Sequence, residues 1–191
     1  MFDELLAAEG VSEITILDGR VGFMALHGGL ETATFEIAEA AAKASGASLY
    51  SVRQPWSMYR HIPSIQFDPV HSEALTNFLN HVGAVISLHG FSRSELDSSL
   101  LLGGLNRPLA RRLAKSMGSK GFDAIENLEA MPAKLRGVHG RNPVNLTEYG
   151  GVQIEMGLEV RKDESRHAQI IEILRDFAAA EMRSLCLKED C

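Results

Sequence analysis

The chain has 191 residues, 45% of them hydrophobic and 23% charged, with a formal net charge of −6. That apolar share excludes a disordered chain, and the length is enough to bury a core without disulfides or a structural metal. The acidic balance, with no basic run of five or more residues, argues against nucleic acid as a partner.

The opening MFDELLAAEG is acidic and lacks the basic-then-apolar order of a signal peptide. Val21–Leu26 is a short apolar run that ends on His27-Gly28-Gly29 and fits a strand buried on both faces. Thr34–Ser45 has helical spacing and is closed by Gly46. Ser48–Val52 reads as a strand, Pro69–Val82 as a helix, and Ala84–Leu88 as a second buried strand ending on His89-Gly90. Ser99–Leu102 is a further strand, Arg107–Met117 a helix with Pro108 in its first turn, and Phe122–Ile125 a short strand. Residues 126–150 are rich in Pro, Gly and Asn and are expected to be irregular. Val152–Met156 alternates as a strand, and a C-terminal amphipathic helix spans about 164–183. This order predicts one α/β domain over residues 1–191, an open mixed sheet flanked by helices. No apolar run reaches the ~18 residues of a membrane span, so no membrane partner is expected. Both cysteines, Cys186 and Cys191, lie near the C-terminus, unlike a secreted disulfide framework. The expected location is cytoplasmic, with release by lysis left open, and the sequence is silent on oligomeric state.

Ligands of open α/β sheets bind beyond the carboxyl ends of the strands. Two strands ending in His-Gly would therefore aim His27 and His89 into one crevice, and Glu31 would complete a two-histidine, one-carboxylate metal set. Two plainer readings stand beside this one. A His-Gly at a strand end also serves as a turn, and Glu31 also suits a helix N-terminus. Gln153 and Glu155 share one strand face, which makes Glu155 a candidate general base or else an exposed strand acid. Arg161 is a candidate for bidentate binding of a substrate carboxylate. His71, His81, His139 and His167 have no matching partners and read as surface or packing residues.

HGGLETATFEIA (27–38), HIPSIQFDP (61–69), SLHGF (87–91), GGL (103–105), RNPVN (141–145) and GGVQIEMGLEVR (150–161) resemble, in order and spacing over about residues 20–162, the poly-γ-glutamate hydrolase family. The resemblance implies a compact zinc carboxypeptidase-like fold with one Zn²⁺ held by His27, Glu31 and His89, and with Glu155 as the base. Arg141 and Arg161, together with His61 and Asn145 from the same motifs, are the expected substrate contacts. The sequence departs from the family pattern in three places. Glu31 lies one residue closer to its histidine, which leaves Glu36 as an alternative ligand. Ala33-Thr34 replaces Gly-Thr, and His61-Ile62-Pro63-Ser64 replaces an HITS-like segment. The expected activity is zinc-dependent hydrolysis of γ-glutamyl-type amide bonds by a metal-activated water, in an anionic peptide or small-molecule amide. The alternatives are a carboxypeptidase-like or N-acyl-amino-acid hydrolase, and a catalytically silent metal- or partner-binding member.

Overall fold

Strand β2 (Gly19–Gly28) contains the first apolar run and extends it at both ends. It pairs in parallel with β3 (Ala47–Arg53) on one side and β4 (Ala84–Gly90) on the other. The parallel set continues with β7 (Gly151–Met156) beside β4. Helices cover both faces of these strands, so nearly all their residues are buried, and they read as continuous apolar runs. On the flanks, β1 (Ser12–Ile16) is antiparallel to β3, β5 (Ser99–Leu102) is antiparallel to β7, and β6 (Asp123–Ile125) lies parallel to β5. The result is one mixed sheet in the order β1-β3-β2-β4-β7-β5-β6. The computed structural model describes residues 1–186; Cys191 lies outside them.

Among the described residues six helices accompany the sheet: α1 (Phe2–Leu6), α2 (Thr34–Ser45), α3 (Glu73–His81), α4 (Arg107–Ser119), α5 (Leu158–Lys162) and α6 (Glu164–Cys186). On one face Val21, Phe23, Ile86, Val152 and Ile154 pack against Ile37 and Ala41 of α2, Leu113 of α4 and Leu174 of α6. On the other face Met24, Leu26, Tyr50 and Val85 meet Phe2, Phe67, Leu75 and Phe78. Among the described residues no helix is long and apolar enough to cross a membrane.

The structure differs from the sequence expectations in four elements, one of them the five-residue helix α5, which has no expected counterpart. The helix expected over 69–82 divides: Pro69–His71 is a single 3-10 turn, Ser72 is extended, and its side chain caps α3 by accepting from the Leu75 N–H. Strand β1 was not expected, because an edge strand is half exposed and shows little apolar signal. Its Glu13 points inward, where it accepts from the Tyr50 hydroxyl at 2.6 Å and from Ser72; an inward charge of this kind suits a strand edge that must not recruit another chain. Finally, α1 is too short for periodicity to reveal.

Candidate metal centre

His27, His89 and Glu155 all lie at the carboxyl ends of adjacent parallel strands. In the β4–β7 pairing, His89 sits opposite Glu155. Alternation places Ser87, His89, Gln153 and Glu155 on one face, opposite to Ile86, Leu88, Val152 and Ile154. His27 alone would not join them. Phe23 and Ala25 of its strand pack in the first core, so strict alternation would send His27 there too. The pairing of β2 with β3 is irregular between Ala25 and Gly28, and this bulge re-aims the side chain into edge contact with the Phe67 ring on the second face.

After His27 the chain folds back at once. The N–H groups of Leu30 and Glu31 both donate to the His27 carbonyl at 3.0 Å, which returns the Glu31 carboxylate to the histidine. Gly29 makes this turn possible: its φ is +81°, and a Cβ there would lie 2.0 Å from the Gln54 carbonyl oxygen. Ala33, where the family pattern has glycine, is the sole non-glycine residue with positive φ among the described residues, at 70°. That conformation costs about 1–2 kcal/mol for a residue with a Cβ, and it completes the path from the shortened Glu31 turn into α2.

The three candidate ligand residues form a small triangle, with one Glu31 oxygen toward each histidine. His27 Nδ1 lies 3.1 Å from Glu31 Oε1 and 3.2 Å from His89 Nδ1, and His89 Nδ1 lies 3.6 Å from Glu31 Oε2. A tetrahedral zinc with bonds of 2.0–2.1 Å separates its ligand atoms by about 3.3 Å, which the separations of His27 Nδ1 from His89 Nδ1 and from Glu31 Oε1 match. The outer contacts agree. His27 Nε2 is 2.9 Å from the Ile62 carbonyl, which can only accept, so Nε2 carries the hydrogen and Nδ1 presents its lone pair. His89 Nε2 is 2.9 Å from Ser87 Oγ, and Glu31 Oε2 accepts the Gly90 N–H at 2.8 Å. Two imidazole nitrogens and a carboxylate this close, nearly excluded from water, attract a cation. Glu36 is exposed on α2 and takes no part; the carboxylate in the triangle is Glu31.

The charges respond accordingly. Burial alone would raise the Glu31 pKa, but the charges and hydrogen bonds of His27, His61 and His89 hold it well below the usual carboxylate range. Burial would lower that of His27, yet the adjacent Glu31 raises it above the ordinary histidine value. His89 is pushed down to about 4, chiefly by burial, with Glu31 opposing and His27 and His61 adding to the drop. Glu155 is raised to about 8 by burial and by the charge of Glu31, against a hydrogen bond from Gln153 that favours the ionised form.

Of the other sequence candidates, His61 joins the site. Its ring stacks on His27 with centroids 4.4 Å apart, and its Nε2 is 3.7 Å from Glu31 Oε1. Arg161 is buried, with Nε donating to the Met156 carbonyl and Nη2 to the Phe91 carbonyl, so it ties together the ends of β4 and β7. Gly90 gives room to this guanidinium and not to a ligand: a Cβ there would lie 2.5 Å from Arg161 Nε. Asn145 uses its amide on the loop, accepting from the Leu105 N–H and donating to the Gly137 and His139 carbonyls. Arg141 lines a cleft with Phe2, Ile65 and His71, and Phe2 packs on the same Phe67 ring that touches His27. His81 and His167 bond to the backbone carbonyls of Asp18 and Arg161. Sequence reasoning missed Ser87 and Asn142. Ser87 was legible as the same-face residue two before His89, and Asn142 as an Asn-Pro turn signal.

A profile of the poly-gamma-glutamate hydrolase family matches residues 2–175. No curated protein matches the chain. Among solved structures, a zinc-free apo form of YndL is 27% identical over 88% of this chain and 89% of its own, with a TM-score of 0.76. A bacteriophage poly-gamma-glutamate hydrolase is 22% identical over 92% of this chain and 91% of its own, also with a TM-score of 0.76. The N-acetylmuramoyl-L-alanine amidase AmiC2 of Nostoc punctiforme shares the fold more distantly, at 12% identity over 85% of this chain and 97% of its own with a TM-score of 0.50. With the profile matching nearly its whole length, this chain belongs to the poly-gamma-glutamate hydrolase family and is an amide-bond hydrolase.

Proposed function

We propose that the chain is a zinc-dependent amidohydrolase that cleaves γ-glutamyl-type amide bonds. The observation that carries this reading is the cluster of His27 Nδ1, His89 Nδ1 and the two Glu31 oxygens, with contacts of 3.1–3.6 Å, beside the buried carboxyl of Glu155. The likeness to YndL, whose apo form is zinc-free, supports zinc as the ion. His27, Glu31 and His89 would hold the zinc, which would supply a Lewis acid for the scissile carbonyl and make water nucleophilic at neutral pH.

The protein's own groups do the rest. Glu155 accepts the proton of the attacking water and returns it to the leaving nitrogen. Burial and, after it, the charge of Glu31 raise Glu155; neutralising Glu31 by a bound cation would lessen the second of these and favour the ionised base. Gln153 Nε2 donates to Glu155 Oε1 at 2.7 Å, which orients the carboxyl. His61, half exposed beside Glu31, and Arg141 at the neighbouring cleft would meet an anionic substrate; their positions support this role. Arg161 spends two donors on the strand ends and adds its positive charge to the field around Glu31 and Glu155.

The test is hydrolysis by the zinc-loaded protein of poly-γ-glutamate, γ-glutamyl dipeptides and N-acyl amino acids side by side. Preference for the γ-glutamyl substrates, with a drop of about 10²–10⁴-fold in Glu155→Gln, is the expected result. Preference for N-acyl amino acids would move the assignment to the small-substrate hydrolase. No turnover of any of the three by a zinc-loaded wild type would leave a metal-binding protein without this activity.

A further inference from the structure

Gln153 can help Glu155 only if its amide faces the right way, and an amide that turns over presents an oxygen to the carboxylate instead of an N–H. A polar chain starting in the backbone fixes that direction. The Val144 N–H can only donate, and it lies 3.4 Å from Asn142 Oδ1 at the start of the 3-10 turn Pro143–Asn145. Asn142 must therefore turn its Nδ2 the other way, where it donates to Gln153 Oε1 at 2.8 Å. With its oxygen committed, Gln153 has only Nε2 for Glu155, and donates to Oε1 at 2.7 Å. All three side chains are buried, so water does not relieve a wrong orientation. The loop backbone also presses on this amide: a Cβ on Gly137 would lie 2.8 Å from Gln153 Cδ. Asn145 pins the same loop to the Leu105 N–H and to the Gly137 and His139 carbonyls.

We propose that Asn142 is a positioning residue for the reaction. Through Gln153 it sets which edge of an amide meets Glu155, and so links the loop that carries Arg141 to the base. The proposal rests on Glu155 being the base.

Asn142→Asp keeps the oxygen that caps Val144 and changes the volume little, but sets a carboxylate against Gln153 Oε1. The Gln153 amide then turns, its Nε2 goes to the new carboxylate, and its oxygen faces Glu155. Asn142→Ala loses the cap as well but leaves the Gln153 amide free to choose. If Asn142 only braced the loop, Ala would be the worse change. The relay predicts the reverse order: kcat falls roughly 10–100-fold in Asn142→Asp, the range of one hydrogen bond to a charged group, and less in Asn142→Ala. KM and zinc content stay near wild type, and Asn142→Asp has little further effect on a Gln153→Leu background. A readout independent of turnover is the side-chain amide resonance of Gln153 in the metal-free protein, which shifts in Asn142→Asp. Should that variant fail to fold, Gln153→Leu alone reads the same relay and is expected to lower kcat at unchanged zinc content. Wild-type kcat in Asn142→Asp, or in Gln153→Leu, beside an inactive Glu155→Gln overturns the relay alone. A Glu155→Gln protein as fast as wild type, or a wild type inactive on all three substrates, overturns the reading of the site and the relay with it.

Discussion

Arg161 is where two roles can be separated most cleanly. Its place after GGVQIEM marks it as a substrate contact, yet the folded chain uses its Nε and Nη2 on the carbonyls of Met156, at 3.1 Å, and Phe91, at 2.9 Å. These carbonyls lie just past Glu155 on β7 and just past His89 on β4, so the guanidinium is a clamp across the two strand ends that carry the chemistry. Arg161→Met fills most of the same space and removes both bonds. Each hydrogen bond from a charged donor is worth about 1.5–3 kcal/mol, which makes the expected loss for two about 3–6 kcal/mol, and at about 2–4 °C per kcal/mol for a domain of this size the melting temperature falls by roughly 10–20 °C. Arg161→Lys, with one point charge in place of a planar fork, falls in between. Thermal unfolding of the chelator-treated protein followed by circular dichroism measures the clamp, and KM for poly-γ-glutamate measures substrate binding. An unchanged melting temperature with KM raised tenfold or more would refute the clamp and restore Arg161 as a substrate residue.

Replacing Glu31 by Gln is expected to weaken zinc affinity by more than about 100-fold, beyond the loss typical of an outer-sphere partner, while Glu36→Gln leaves it unchanged; a competition titration with a chromophoric chelator decides between them. The pH dependence of the metal-free protein follows from Glu155. Its carboxyl titrates at about 8 in the fold against an ordinary 4.5, so the folded state holds the proton more tightly. The contribution to stability is full below 4.5 and is lost as pH rises through about 8, at no more than about 1.4 kcal/mol per pH unit. The melting temperature of wild type minus that of Glu155→Gln should therefore decline across that window and level off above it; a flat difference would contradict the burial of a neutral carboxyl.

Much of the site was legible because strand ends and alternation are local facts. LHGG and LHGF at the ends of two apolar runs gave both histidines, and the two-residue period put Gln153 with Glu155 and opposite Ile154. The parts that were not legible depend on contacts across the chain. Alternation alone would have buried His27 beside Phe23 and Ala25, and only the irregular pairing after Ala25 brings it to His89. The shortened spacing to Glu31 left Glu36 in contention, since the fold-back onto the His27 carbonyl and the left-handed Ala33 that accommodate it are backbone features. The carbonyl of Ile62 that sets the His27 tautomer has no side-chain signature at all. Arg161 and Asn145 illustrate a second limit of motif reading: both are expected substrate contacts, and the fold also engages them with nearby carbonyls that the sequence does not reveal.

The most direct test of the metal centre is anomalous scattering at the zinc edge from crystals of the zinc-loaded protein. One strong peak is expected, at about 2.0–2.2 Å from His27 Nδ1, a Glu31 carboxylate oxygen and His89 Nδ1, with Glu155 beside it and outside the ligand set. A peak on other residues, or none at the triangle in a protein shown to hold zinc, would contradict the assignment of this site.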